Sequence, residues 1–581
     1  MISILEIFPT EILFEIFDYL TTYDIFYSLN NLNKQINDII QLYPLNLNFQ
    51  QISRSKFDFI CRYMKPEQVI SISFSDEIMP NQVELFKQYF PNFQYKFISL
   101  KKFIFNNTST ILSHLPICLT SLSIKTYLKT KQTDYLIMYT LNQQSQYLTY
   151  LKVDGSYVFR SINTSFPLLT HLIIDYCTIT DFHRILHCLQ SPISYLKLSL
   201  YKEENLTLIN FQSLSKSLLQ LSLLFSQEIL MSFQSIKQSI EQLDKLISLT
   251  IQATGTLDLM NGQLWEEYLS EKQIKIFDFK FTLAHHINCQ EDKQSLLQTF
   301  RSLFWLKKKN WYVACEKGNF KSSRPILYSI PYFQPSFIFY PSNNFLSDTI
   351  IEKEIHSNHI FNLILTFYKT ITIPTTPFTN VYSLTLFTTT LPSIEILLAI
   401  VNLEQIQELD VSLIKNLSIV NFQILIASMK KLKSIKMQYN PFFCPPLHID
   451  SYIFIRNDRE IFVIDENNLD RFCYLFYFIK YLEITVKSKE IILQLLKRLH
   501  YLEIVKIYCY QDYLINIKYN WFQENIPRLN TNYFTYRTTS SCLLLSIGDR
   551  KIMNAKTIPE TIDDDSVKPG CYKIRSHCVL Q

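Results

Sequence analysis

The stretch LTHLIIDYCTITDFHRILHCLQSPISYLKL, Leu169 to Leu198, decides the fold. It opens on apolar-x-x-apolar-x-apolar, and the last two apolar positions, Leu172 and Ile174, alternate as a half-buried strand requires. Its middle places Phe182, Ile185, Leu186 and Leu189 about one helical turn apart. It closes on ISYLKL from Ile193, a second copy of the opening pattern. A strand and a helix of this length cannot bury their apolar sides alone, so each such unit needs a stacked neighbour.

The neighbours are present on both sides. The pattern occurs as LKKFIF at Leu100, LTSLSI at Leu119, LTYLKV at Leu148, LLQLSL at Leu218 and LISLTI at Leu246, so the steps from Leu100 are 19, 29, 21, 24, 25 and 28 residues. All but the first lie within the leucine-rich-repeat period of about 20 to 29 residues. Helical stretches such as Phe233, Ile236, Ile240 and Leu243 fall between. The pattern weakens between about Trp265 and Pro377 and returns at VYSLTL (Val381), IQELDV (Ile406), LKSIKM (Leu432), IKYLEI (Ile479) and, less regularly, at Leu502. The repeats are irregular, because the Asn or Cys that usually follows the strand is mostly missing. An α/β solenoid with a continuous parallel sheet is expected.

Composition agrees with several packed units and with little else. The 581 residues are 48% hydrophobic and 18% charged, and 56 Lys+Arg against 51 Asp+Glu leave +5, too dilute for a nucleic-acid or membrane footprint. Only 6 Gly accompany 44 Phe and 36 Tyr. Neither G-x-G-x-x-G nor G-x-x-x-x-G-K-[ST] occurs, which removes the common nucleotide-binding readings; no cofactor is expected. The 12 Cys include no C-x-x-C, and no apolar signal segment with a basic front stands at the N-terminus, so a reduced, intracellular chain, cytoplasmic or nuclear, is expected. The uncharged runs Pro325 to Ser347 and Thr370 to Ile394 are broken by prolines and do not read as membrane spans.

Ahead of the repeats stands FPTEILFEIFDYL, Phe8 to Leu20, with Ile12, Leu13, Ile16, Phe17 and Leu20 at successive helical turns. Pro9 suits a first helical position and Glu11 the positive end of the helix dipole. Thr21 with Asp24 resembles a capping box opening a second helix through Ile25, Phe26 and Leu29. A third runs from about Asn33 to the stop at Pro44. Three short helices cannot hide this much apolar surface among themselves. Either they cap the first repeat or a separate protein covers them.

These residues resemble the F-box. Phe8-Pro9-Thr10-Glu11-Ile12-Leu13, Ile16-Phe17, Tyr19-Leu20 and Asp24-Ile25 follow the family's Leu-Pro-x-Glu-Ile-Leu, Ile-Phe, aromatic-Leu and Asp-Leu, with Phe8 in place of Leu and Asn33-Lys34-Gln35-Ile36 where Cys-Arg-x-Trp is common. The resemblance implies a three-helix module that docks on the Skp adaptor and so on the cullin scaffold of an SCF-type ubiquitin ligase, with Phe8, Pro9, Ile12, Leu13, Ile16, Phe17, Leu20 and Ile25 facing the adaptor. The repeats would then select an unknown protein substrate. The other expectation is a repeat scaffold without a ubiquitin role.

The chain is therefore expected to divide into an F-box at 1–45, a first array at 46–264, an insertion or distorted repeats at 265–377, a second array at 378–548 and a mobile tail at 549–581. No enzyme active site is read. His183 and His187, four apart beside Cys188, lack the Glu of H-E-x-x-H, and a metal site is not expected. Lys307-Lys308-Lys309 between Trp305 and Trp311 could grip single-stranded nucleic acid but reads better as a solvated loop with inward Trp rings, so no nucleic-acid partner is expected. The last four residues, Cys578-Val579-Leu580-Gln581, fit C-a-a-X, and contact with a membrane is expected only if Cys578 is prenylated.

Overall fold

The computed structural model describes residues 7–548 apart from 109–114, 117–118, 126–130, 155–164, 190, 202–208, 285–292, 318–324, 340–345, 348–359, 368–377, 415–418, 438–451, 456–463, 478, 510–516, 518, 527–528, 530–533 and 539–541. The stretch 549–581, with Cys578, lies outside the described residues.

The apolar-x-apolar pairs build one long parallel run. It comprises β1 (Leu45–Asn48), β2 (Val69–Ser75), β3 (Lys102–Asn106), β4 (Ser121–Lys125), β5 (Tyr150–Asp154), β6 (His171–Cys177), β7 (Tyr195–Leu200), β8 (Gln220–Phe225), β10 (Ser248–Gly255) and β11 (Ile276–Leu283), each hydrogen-bonded to the next. The short β9 (Leu230–Met231) pairs with the end of β10. Register places Leu122, Leu151, Leu172, Leu196, Leu221, Leu249 and Phe277 in one row across the sheet, all buried. Ile124, Val153, Ile174, Leu198, Leu223, Ile251 and Phe279 make the next row inward. Every second side chain thus joins one continuous core, which runs from Leu13 to Leu327.

A backbone signature repeats with the strands. The Thr149 carbonyl accepts from the N–H groups of Thr170 and His171, the Thr170 carbonyl from Ser194 and Tyr195, and the Ser194 carbonyl from Leu219 and Gln220. The hydroxyls of Thr149, Thr170 and Ser194 donate in turn to the carbonyls of Thr120, Thr149 and Thr170, at 3.1 to 3.2 Å. This explains the small hydroxyl residue after the first Leu or Ile of the pattern: it stitches one repeat to the previous one where the backbone enters the strand.

Beyond β11 the sheet turns antiparallel through β13 (Pro325–Ile330), β12 (Tyr312–Lys317) and β15 (Leu346–Ser347). A second parallel sheet follows, of β14 (Ser336–Phe339), β16 (Asn362–Thr366), β17 (Ser383–Phe387), β18 (Glu408–Asp410), β19 (Ser434–Met437) and β20 (Tyr452–Ile455). Its loops show the same paired acceptance, for example Tyr382 and Ser383 N–H on the Phe361 carbonyl. A last sheet joins β21 (Tyr481–Val486) in parallel to β22 (Ile504–Cys509), which pairs antiparallel with β24 (Cys542–Ile547), itself antiparallel to β23 (Phe534–Thr538). Ile78, in the turn after β2, packs on Tyr481, Ile504 and Leu544, so a loop of the first array touches the last sheet. Among the described residues no helix is long and apolar enough to cross a membrane.

Scarce glycine leaves its mark on the backbone. Of the six non-glycine residues with positive φ among the described residues, five are asparagines, Asn31, Asn81, Asn92, Asn107 and Asn310, the side chain best suited to stand in for glycine there. Glycine is kept where a second backbone comes close. A Cβ at Gly255 would stand 1.9 Å from the Met231 carbonyl oxygen, and β9 cannot withdraw without losing its pairing to β10. Gly255→Ala is expected to lower stability by about 1–3 kcal/mol through overpacking, read as a shift of the urea midpoint at constant slope.

Candidate functional site

Among the described residues, two surfaces stand out for the side chains they gather outside the core. The first is the N-terminal helical module. Helix α1 (Thr10–Asp18) follows Pro9 in extended conformation, and Glu11 lies in its first turn. Thr21 caps α2 (Thr22–Asp24), with Asp24 returning the bond to the Thr21 N–H, and the chain continues as a π-helical turn over Ile25–Leu29. Asn33 caps α3 (Lys34–Leu42) by accepting from the Ile36 N–H at 2.8 Å.

The eight apolar residues expected to face an adaptor divide into two sets. Leu13, Phe17 and Ile25 are each 1% exposed and belong to the first core, together with Phe26, Ile36, Ile39 and Ile40. The module is therefore fastened to the solenoid: its apolar side covers the outer end of the parallel run at β1, whose edge would otherwise be open, and Thr22 donates to the Asn46 carbonyl at 3.0 Å. Phe8, Ile12 and Leu20 remain 37–38% exposed, Pro9 is exposed, and Ile16 is half-buried. Tyr19, one turn beyond Ile16, is 91% exposed. Tyr43 packs edge-on against Phe14 and Phe17 at 5.2 Å and donates to Asp18 at 2.6 Å; burial, then this bond, push its phenol well up. Burial likewise pushes Tyr23 up to about 12.

The second surface is the face of the first sheet opposite its core. Register lines up three outward rows: Tyr150, His171, Tyr195, Gln220, Ser248 and Ile276; then Lys152, Ile173, Lys197, Ser222, Thr250 and Asp278; then Leu224, Gln252 and Lys280. His171 stacks on Tyr195 with centroids 5.6 Å apart, and Lys152 pairs with Asp175 at 3.7 Å. Over the β7 to β11 end hangs the Phe333–Ser336 segment. It is held by Gln334, which bonds Gln252 and accepts from Tyr332 at 2.8 Å, while Lys280 donates to Tyr332 at 2.8 Å. Between segment and sheet lies a cavity of about 450 Å³ floored by Tyr195, Lys197, Ser222, Thr250 and Asp278. Burial pushes the Asp278 carboxyl up, and a bond from Ser329 opposes it.

The remaining sequence features are absorbed locally. His183 accepts from the Asn210 N–H at 3.1 Å through Nε2, the side chains of His187 and Cys188 lie outside the described residues, and no cluster of three metal-ligating side chains occurs among the described ones. Trp305 is buried and donates to the Gly262 carbonyl, while Lys309 donates to the Ile274 carbonyl at 2.6 Å and lies over the Trp311 ring. Burial, then Lys308, lower the Lys309 ammonium. Sequence reading missed Lys197 and Asp278: Lys197 stands at the x position of Leu196-x-Leu198 and could have been tabulated once the repeats were aligned, whereas Asp278 stands between Phe277 and Phe279, in a strand that the leucine pattern does not pick out.

No protein-family model matches the chain, and no curated protein matches it. Among solved structures it is similar to the yeast complex of Rad7 and Elc1 at 10% identity and a TM-score of 0.27, over 74% of this chain and 88% of that chain, a likeness too loose to carry a functional inference.

Proposed function

We propose that this chain is a non-catalytic substrate receptor of an SCF-type ubiquitin ligase, with its N-terminal helices docking on the Skp adaptor and its outward sheet rows taking a protein substrate. The observation that supports it is the outer side of the module, on α1 and its flanks: Phe8, Pro9, Ile12 and Leu20 leave apolar surface open while Leu13 and Phe17 on the inner side are buried. These are positions of the F-box-like pattern; full burial of a large apolar side chain is worth roughly 1.5–3 kcal/mol, so covering the remaining third of Phe8, Ile12 and Leu20 would contribute about 0.5–1 kcal/mol apiece to a contact. Purified full-length chain is expected to retain recombinant Skp adaptor on a column. Ile12→Asp with Leu20→Asp should reduce recovery at least about 100-fold while leaving the thermal midpoint within a few degrees, because neither side chain is in the core. Failure of the unaltered chain to retain the adaptor would sink the reading.

A scaffold without a ubiquitin role is supported by a different observation, the burial of Leu13, Phe17 and Ile25 in the same core as the repeats, since capping alone accounts for them. On that reading the Ile12 and Leu20 changes alter no interaction.

A further inference from the structure

Lys197, Ser222, Thr250 and Asp278 stand side by side on β7, β8, β10 and β11. Three strand spacings of about 4.8 Å put the two charged ends of this row about 14 Å apart. They are too far apart to neutralise each other. Among the described residues Lys197 has no hydrogen-bond or ion-pair partner. The neighbouring carboxylate, Asp175, is held by Lys152 and by the Ser199 hydroxyl at 3.2 Å. The cation nearest Asp278 along its strand, Lys280, is turned to Tyr332. Half-buried groups facing a cavity with their charge unmatched are stabilised by a ligand that brings the opposite charges.

The cavity is of ordinary ligand size, its floor between the charges is hydroxyl-bearing, and Tyr195 forms an aromatic shoulder beside Lys197. An extended chain covers about 14 Å in roughly four residues. We propose that this cavity binds an extended peptide segment that offers an acidic side chain to Lys197 and, roughly three to five residues away, a basic side chain to Asp278. The proposal rests on the receptor reading only in taking the segment to come from a substrate protein. The Phe333–Ser336 overhang holds the segment against the floor, which lets the pair of charges set both spacing and direction.

The test uses full-length chain without adaptor and fluorescein-labelled serine-based octapeptides, each with one Glu and one Lys at separations of one to six residues in both orders. All-serine, two-Glu and two-Lys peptides are included. The expected result is one order of charges, at a separation of three to five, binding at least tenfold more tightly than all-serine. Lys197→Glu should move the preference to the two-Lys peptides and Asp278→Lys to the two-Glu peptides, each with an unchanged thermal midpoint. Equal binding of all peptides, or a preference that neither substitution moves, overturns the proposal. Because no adaptor is present, peptide selection by a chain that fails to retain the adaptor removes the ligase reading and keeps the site.

Discussion

Asp58→Ala is expected to destabilise the chain by about 3–5 kcal/mol, the loss that follows when one partner is taken from a buried ion pair. Asp58, 1% exposed on α4 (Arg54–Tyr63), accepts from Arg54 Nε through both carboxylate oxygens, at 2.9 and 2.7 Å, and from the Tyr89 hydroxyl at 2.9 Å. Arg54 is itself only 8% exposed, so alanine at 58 leaves a guanidinium with little water and no counter-charge. Removing both charges is a different experiment. Arg54→Met with Asp58→Leu should recover most of the loss, since apolar replacement of a whole buried pair is often neutral. Urea unfolding followed by circular dichroism measures both, and an Asp58→Ala effect under about 0.5 kcal/mol would show that water reaches the pair.

How much of this was legible in advance depended on whether the signal was local. The strands at Lys102, Ser121, Tyr150, His171, Tyr195, Gln220 and Ser248 each start two residues after the Leu or Ile that opens the sequence pattern, because alternation is a property of five or six consecutive residues. Strand β11 continues the parallel run inside the stretch read as an insertion or distorted repeats; its inward residues Phe277, Phe279 and Phe281 fill leucine positions with rings, which hides the repeat from a leucine template. The small hydroxyl residue at 120, 149, 170 and 194 was visible in the pattern, but its purpose depends on a carbonyl one repeat away. Lys197 and Asp278, 81 residues apart, become neighbours in a row only through three registers in succession.

The N-terminal helices pose the same problem in its sharpest form, and one contrast resolves it. Periodicity puts Ile12, Leu13, Ile16, Phe17 and Leu20 on one broad apolar face but cannot divide that face, because the division is made by core residues such as Tyr43, which come later in the chain. Phe17→Asp is therefore expected to cost at least about 4 kcal/mol: deleting a buried Phe already costs about 3–5, and the new carboxylate has no cation to meet. Ile12→Asp, on the outer side, should change stability by under about 1 kcal/mol. Both substitutions would reduce adaptor recovery on the receptor reading, so a loss with Phe17→Asp alone reports only a collapsed cap. A loss with Ile12→Asp at unchanged urea midpoint reports a contact. If instead Ile12→Asp unfolds the module, the outer side is core, and the open apolar surface on which adaptor docking depends does not exist in solution.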